Sequence, residues 1–144
     1  MATVSDILAA KGRSVHQARR DETVYDAIER MVHHNIGALV VVDGGEVCGL
    51  VTERDYLGRV ALRGRASKTT RVDEIMTTKV VCVHAGMDVE ECMQIVTERR
   101  TRHLPVVSGR HLIGIVSIGD LVKSLMQEQA WNIEGLTGYI QGRA

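Results

Sequence analysis

The chain contains no Phe, and its three Tyr and one Trp bring aromatic residues to only 3%. Its core must therefore be built from Val, Ile, Leu, Ala and Met rather than from rings. So few aromatics also argue against a base-stacking RNA platform. Proline occurs once, at Pro105. The three cysteines, Cys48, Cys82 and Cys92, are odd in number and lack CxxC spacing. That pattern excludes a disulfide scaffold and argues for buried, reduced thiols in a cytoplasmic setting. Neither charge sign is in excess: Lys+Arg and Asp+Glu are 18 each, which points to neither nucleic acid nor a membrane surface as a partner. No stretch approaches the ~20 apolar residues of a membrane span. The start, MATVSDILAA, has no basic region before a long apolar run, so no signal peptide is visible. The six histidines show no metal-ligand spacing, and no metal site is expected. No nucleophile–base pair, paired catalytic carboxylates or Walker-type loop is present, so neither an enzyme nor a catalytic cofactor is expected.

What the chain does contain is a repeat. Gly49 to Leu57 reads GLVTERDYL, and Gly114 to Val122 reads GIVSIGDLV, 65 residues later. Gly49 pairs with Gly114, Thr52 with Ser117 and Asp55 with Asp120. Each stretch reads as the end of a buried strand turning into a helix beside a hydroxyl and a carboxylate. Internal repetition outweighs any single segment assignment, because many positions agree on one offset.

Along the chain, Val4 to Ala10 forms a helical turn ending near Gly12, and Ser14 to Ala18 a short strand. Val24, Ala27, Ile28, Met31 and Val32 fall on one face of a helix capped by Asp21 or Thr23 and ended by Asn35 or Gly37. Ala38 to Val42 is a buried strand, Asp43-Gly44-Gly45 a hairpin turn, and Val47 to Thr52 the return strand. A helix over Asp55 to Leu62 follows, with Leu57, Val60 and Ala61 inward. Arg65 to Thr70 is polar and aperiodic, a linker. Val72 to Met76 (VDEIM) then echoes Val4 to Leu8 (VSDIL), and Val80 to Val83 echoes the first short strand. Val89, Cys92, Met93 and Val96 face inward from the second helix. His103 to Val107, His111 to Ser117 and a helix over Asp120 to Met126 close the pattern. The expected fold is α/β (α+β): a β-α-β-β-α unit used twice, packed sheet to sheet with pseudo-two-fold symmetry. The division is 1–64 for the first repeat, 65–70 for the linker, 71–130 for the second repeat and 131–144 for a C-terminal extension. That extension carries Trp131, Tyr139 and Ile140, and it either folds back or reaches a second subunit.

This repeat resembles the CBS domain pair, or Bateman module. The resemblance covers about Val4 to Gln127 and rests on Gly-aliphatic-aliphatic-Thr/Ser-x-x-Asp, met twice, on the TVYDAIERM-type helix, and on RHLPVV at Arg102 to Val107. Length and tail look like the stand-alone CBS-pair proteins of bacteria and plant organelles. The resemblance implies a non-catalytic regulatory homodimer that binds an adenosine ligand between its repeats and is read by a regulated protein. AMP is the first expectation, with ADP, ATP, NAD and S-adenosylmethionine as alternatives.

Carried onto this chain, the resemblance makes Asp55 and Asp120 ribose-binding carboxylates, with Thr52 and Ser117 as the approaching hydroxyls. A carboxylate offers two acceptors to two adjacent hydroxyl donors. Arg54 and Gly119 precede the two aspartates. Arg54 can grip a phosphate and Gly119 cannot, so the Asp55 pocket is expected to prefer the more highly charged ligand. The Asp120 pocket would be completed by Ile36, Gly37, His16, Arg102 and His103. The Asp55 pocket would be completed by Val81, Thr101, Arg102 and Lys79. Both Thr52-x-x-Asp55 and Ser117-x-x-Asp120 are also capping-box patterns, which alone would explain a hydroxyl followed by an acid. On that alternative the chain is a structural or protein-interaction dimer module whose clefts bind nothing.

Overall fold

The computed structural model describes residues 1–128. Its first element, α1 (Val4–Lys11), is fixed by a reciprocal cap: Thr3 Oγ1 accepts from Asp6 N, and Asp6 accepts from Thr3 N at 2.9 Å. Val4, Ile7 and Leu8 form its buried face. They do not pack on the first repeat. They join Val83, Val89, Cys92, Leu104, Val116 and Leu121 in the core of the second. Val4 N donates to Met87 O at 2.9 Å and Ser5 N to Ala85 O at 2.8 Å.

The echo segment does the reverse. Helix α4 (Val72–Ile75) places Val72, Ile75 and Met76 among Val24, Ala27, Met31, Leu39, Val51 and Val60 of the first repeat. Val72 N donates to Glu22 O and Asp73 N to Arg20 O, both at 2.9 Å. The two leading helices are thus exchanged between the repeats. The seats are glycines. A Cβ at Gly114 would lie 2.8 Å from Leu8 Cδ2, and one at Gly49 would lie 2.5 Å from Met76 Sδ.

The strands obey the 65-residue offset pair by pair. Strand β1 (Gln17–Ala18) runs parallel to β2 (Ala38–Asp43), with Ala18 opposite Val41. Strand β3 (Glu46–Thr52) returns antiparallel, from Ala38↔Thr52 to Asp43↔Glu46, with a bulge between Val41 and Val42. In the second repeat β4 (His103–Ser108) and β5 (His111–Ser117) pair from His103↔Ser117 to Ser108↔His111, with a bulge between Val106 and Val107. The counterpart of β1 shrinks to a single parallel bridge, Val83↔Val106. One pair, Glu46↔His111, joins β3 to β5, so the strands run β1-β2-β3-β5-β4. The halves also pack face on, through Ala38, Val40 and Leu50 against Val80, Leu112 and Ile115. A mixed α/β architecture built on a duplicated unit is therefore what the chain adopts.

Helix α2 (Val24–His34) is capped by Thr23, whose hydroxyl accepts from Asp26 N at 3.1 Å, and ends at Asn35 in the left-handed region (φ 52°). Val24, Ala27 and Met31 are buried as expected, but Val32 is 81% exposed. Helix α5 (Val89–Arg99) buries Val89, Cys92 and Val96, with Met93 at the rim. Helix α3 (Glu53–Tyr56) runs into a π-helical turn, Leu57–Ala61. Only Val60 of the three expected inward residues is buried there; Leu57 and Ala61 face solvent. The wider turn, with Leu62 N donating to Leu57 O, changes which positions share a face. Residues 65–70 are more than a tether. Ser67–Thr69 is a 3-10 turn, and Thr70 is buried, its hydroxyl donating to Ala66 O at 2.8 Å. Helix α6 covers residues 118–128. The extension at 131–144 lies outside the described residues. Cys92 is buried, whereas Cys48 and Cys82 are only half-buried, and all three are free.

Candidate functional site

Each repeat ends a strand at a hydroxyl residue and starts a helix one residue later. At Thr52 the extended backbone turns into α3, and Thr52 Oγ1 accepts from Asp55 N at 3.2 Å. Asp55 Oδ2 accepts from Thr52 N at 2.9 Å and from Thr52 Oγ1 at 3.1 Å. Its other oxygen accepts from Thr77 Oγ1 at 3.3 Å, a long bond from the segment that follows α4. Asp55 is 8% exposed, so its carboxylate is aimed inward and held by hydroxyl and amide donors. In the second repeat Ser117 Oγ accepts from Asp120 N at 3.1 Å, and Asp120 Oδ2 accepts from Ser117 N at 2.9 Å. Both capping boxes therefore form. Asp120 differs in its remaining partner: Lys11 Nζ, from α1, donates to the same oxygen at 2.7 Å and to Ile115 O at 3.0 Å. Burial would raise the Asp120 pKa, but the Lys11 ammonium and the Ser117 donors outweigh it and hold the carboxyl below the usual range.

Between the halves lies a cavity of about 850 Å³. It brings together Gly37, Thr52, Arg54, Asp55, Lys79, Val81, Thr101, Arg102, His103, Ser117 and Gly119, all named from the sequence. Three others lie elsewhere. Asp120 borders a second cavity of about 830 Å³, between α1 and α6. Ile36 packs against the first core. His16 is exposed and stacks on His34 with ring centroids 4.0 Å apart. Gly37 does not offer bare backbone to a flat base: the Glu53 carboxylate lies 3.3 Å from where its Cβ would be.

The central cavity also contains residues not assigned to either pocket from the sequence: Leu50, Glu53, Leu57, Thr77, Val80, Arg99, Arg100 and Ile118. Thr77 was legible in principle. Aligning VSDILAAK with VDEIMTTK sets it opposite Ala9, and Lys79 opposite Lys11. The cavity is strongly cationic. Arg54, Lys79, Arg99, Arg100 and Arg102 face two acids, Glu53 and Asp55. Among the described residues none of these five cations joins an ion pair. Arg100 stands at the end of α5 in a left-handed conformation (φ 53°), which turns the chain back across the cavity rim. The pKa of His103 is lowered by burial first and by the Arg102 charge second. The same cavity therefore holds both positive charge suited to an anion and a buried carboxylate acceptor. Among the described residues no cluster of His, Cys, Asp and Glu has metal-binding form, and no helix is long and apolar enough to cross a membrane.

Comparison with known proteins agrees with this arrangement. The family model of the CBS domain matches residues 4–62 and again 72–127. The chain is 43% identical over 149 residues to the CBS domain-containing protein CBSX3, mitochondrial, of Arabidopsis thaliana, covering 97% of this chain and 72% of the relative. It is 32% identical to the CBS domain-containing protein YhcV of Bacillus subtilis, covering 90% of each. Among solved structures, a protein with CBS domains from Burkholderia ambifaria MC40-6 superposes with a TM-score of 0.85 at 52% identity, covering 89% of this chain and 96% of that one. Two matched copies, strands in a common register and a cleft between the halves lead to one conclusion: this chain belongs to the CBS domain family.

Proposed function

We propose that this CBS pair is a regulatory module that binds an adenine nucleotide in the central cavity, against Asp55. The observation that carries the reading is the pairing of one inward carboxylate with five cations that join no ion pair among the described residues, around about 850 Å³ of space between the halves. The ribose hydroxyls would replace Thr77 Oγ1 on Asp55, a like-for-like exchange of a long hydrogen bond. Phosphate would meet Arg54, Lys79 and the Arg99–Arg102 cluster, where planar guanidinium groups suit bidentate contact. AMP is the first ligand to test, followed by ADP, ATP, NAD and S-adenosylmethionine.

The reading includes a homodimer. Leu57, Leu62, Val122 and Met126 are exposed apolar side chains on the helices that follow the two aspartate turns. Of these, Leu57 and Val122 are related by the same 65-residue offset as the sites. A regulated protein would read the angle between the repeats. A cytoplasmic setting belongs to this proposal too, although the Arabidopsis relative is named as mitochondrial.

A thermal-shift panel of the five ligands tests it. Ligand at 100 times Kd stabilises by about 2.7 kcal/mol. For a domain of this size that is a rise of roughly 5–10 °C. Asp55→Asn should at least halve the response at the same ligand concentration. Silence with all five at millimolar concentration would reject the reading in favour of a structural or interaction module with unused clefts.

A further inference from the structure

Resting on the nucleotide reading above, we propose that Lys11 occupies the second aspartate as a built-in substitute for ligand, so that each chain takes one nucleotide, against Asp55. The two aspartates are equivalent by sequence, yet the exchanged leading helices deliver different groups to them. In the first repeat α4 is followed by Thr77, which meets Asp55 with a neutral hydroxyl at 3.3 Å, while Lys79 stays in the cavity without an acidic partner among the described residues. In the second repeat Ala9 stands where Thr77 does and cannot donate. Lys11, the counterpart of Lys79, reaches Asp120 instead at 2.7 Å.

These two states respond oppositely to a ribose. A sugar hydroxyl replaces the Thr77 hydroxyl with little change in bonding. To reach Asp120 it must displace a charge-assisted bond, the stronger kind, and release the ammonium from Ile115 O as well. The surroundings point the same way. The cavity beside Asp120 is lined by only two cationic side chains, Lys11 and Lys123, with Asp6, Asp120 and Glu128, so it offers phosphate no cationic wall. The central cavity has the excess of base.

Titration calorimetry on the full chain tests this with two probes, AMP and uncharged adenosine. The expected wild-type result is one site per chain for each probe, weakened at least tenfold by Asp55→Asn and left intact by Asp120→Asn. Lys11→Met keeps the aliphatic stem and removes the charge; it should reveal a second adenosine site. Lys11→Arg, which keeps a cation, should stay at one. Thermal melts confirm that each variant is folded. Two sites in the wild type, or one site that Asp120→Asn abolishes, would overturn the latch while leaving nucleotide binding standing. So would an unchanged single site in Lys11→Met. Absence of binding in every variant would remove the nucleotide reading and the latch together.

Discussion

The exchange of leading helices makes a sharp energetic prediction at Gly114. A methyl group there would sit 2.8 Å from Leu8 Cδ2 and 3.0 Å from Cδ1, closer than carbon atoms approach without displacement. Leu8 is 1% exposed and walled by the second core, so it has no free direction in which to retreat. Gly114→Ala should therefore destabilise by about 1–3 kcal/mol, the usual cost of overpacking. Leu8→Ala should cost about 2–5 kcal/mol through lost burial and the void it leaves. The pair should cost less than the two parts together, by about 0.5–3 kcal/mol, because removing the isobutyl group makes room for the new methyl. Urea denaturation of wild type, both single variants and the double variant measures the coupling, provided the m-value is constant. Additivity within about 0.5 kcal/mol would refute the claim that α1 seats on β5. The mirror pair, Gly49→Ala with Met76→Ala, should be rescued less fully. There the added methyl also approaches the backbone oxygen of Thr77 at 3.2 Å, and no side-chain truncation removes that atom.

Three further outcomes follow from the charges and thiols. Because the folded-state pKa of Asp120 lies below its ordinary 3.8, the stability it contributes is present above that value and is lost as pH falls through the folded pKa. Lys11→Met should thus be less stable than wild type near neutrality, with the gap closing in acid melts below pH 3.8. His103 has its folded pKa lowered from 6.5, by burial and then by Arg102, so the folded state favours neutral imidazole. Stability should fall as pH drops below 6.5 and level off under the folded pKa, and His103→Gln should flatten that limb of a pH–Tm profile. The Cys92 thiol is pushed up to about 11 by burial, then by Glu91 and Asp88. At pH 8 only about one molecule in a thousand carries that thiolate, so a disulfide reagent should modify Cys92 only on unfolding, after Cys48 and Cys82. Early modification of Cys92 in native buffer would contradict its placement.

Much of the fold was readable because repetition doubles every observation. The bulge at Val41/Val42 and the one at Val106/Val107 sit at the same offset as the glycines and aspartates. What local pattern could not show was partnership. VSDIL announces an amphipathic turn, but nothing in five residues says whether Leu8 will meet Gly49 or Gly114. Leu57 and Ala61 were misjudged because periodicity assumes a regular helix, and the π turn alters the spacing. At the site, the short-range geometry of both capping boxes was legible from Thr52-x-x-Asp55 and Ser117-x-x-Asp120. The fate of Asp120 was not, since Lys11 stands 109 positions away along the chain. The cationic wall was half visible: Arg54, Lys79 and Arg102 fall in the pockets implied by the resemblance, while Arg99 and Arg100, by sequence alone, fit a solvated helix face better than a ligand contact.

The exchange also has a bearing on how the polypeptide is made. Helix α1 leaves the ribosome well before β5, its seat, exists; roughly a hundred residues separate Leu8 from Gly114. At about 5–20 residues per second, that helix spends about 5–20 s with its apolar face uncovered. Over the same interval the first sandwich half can be completed, since its own missing helix, α4, arrives soon after β3. Folding should therefore proceed out of order, with the middle of the chain settling first and the earliest segment docking last.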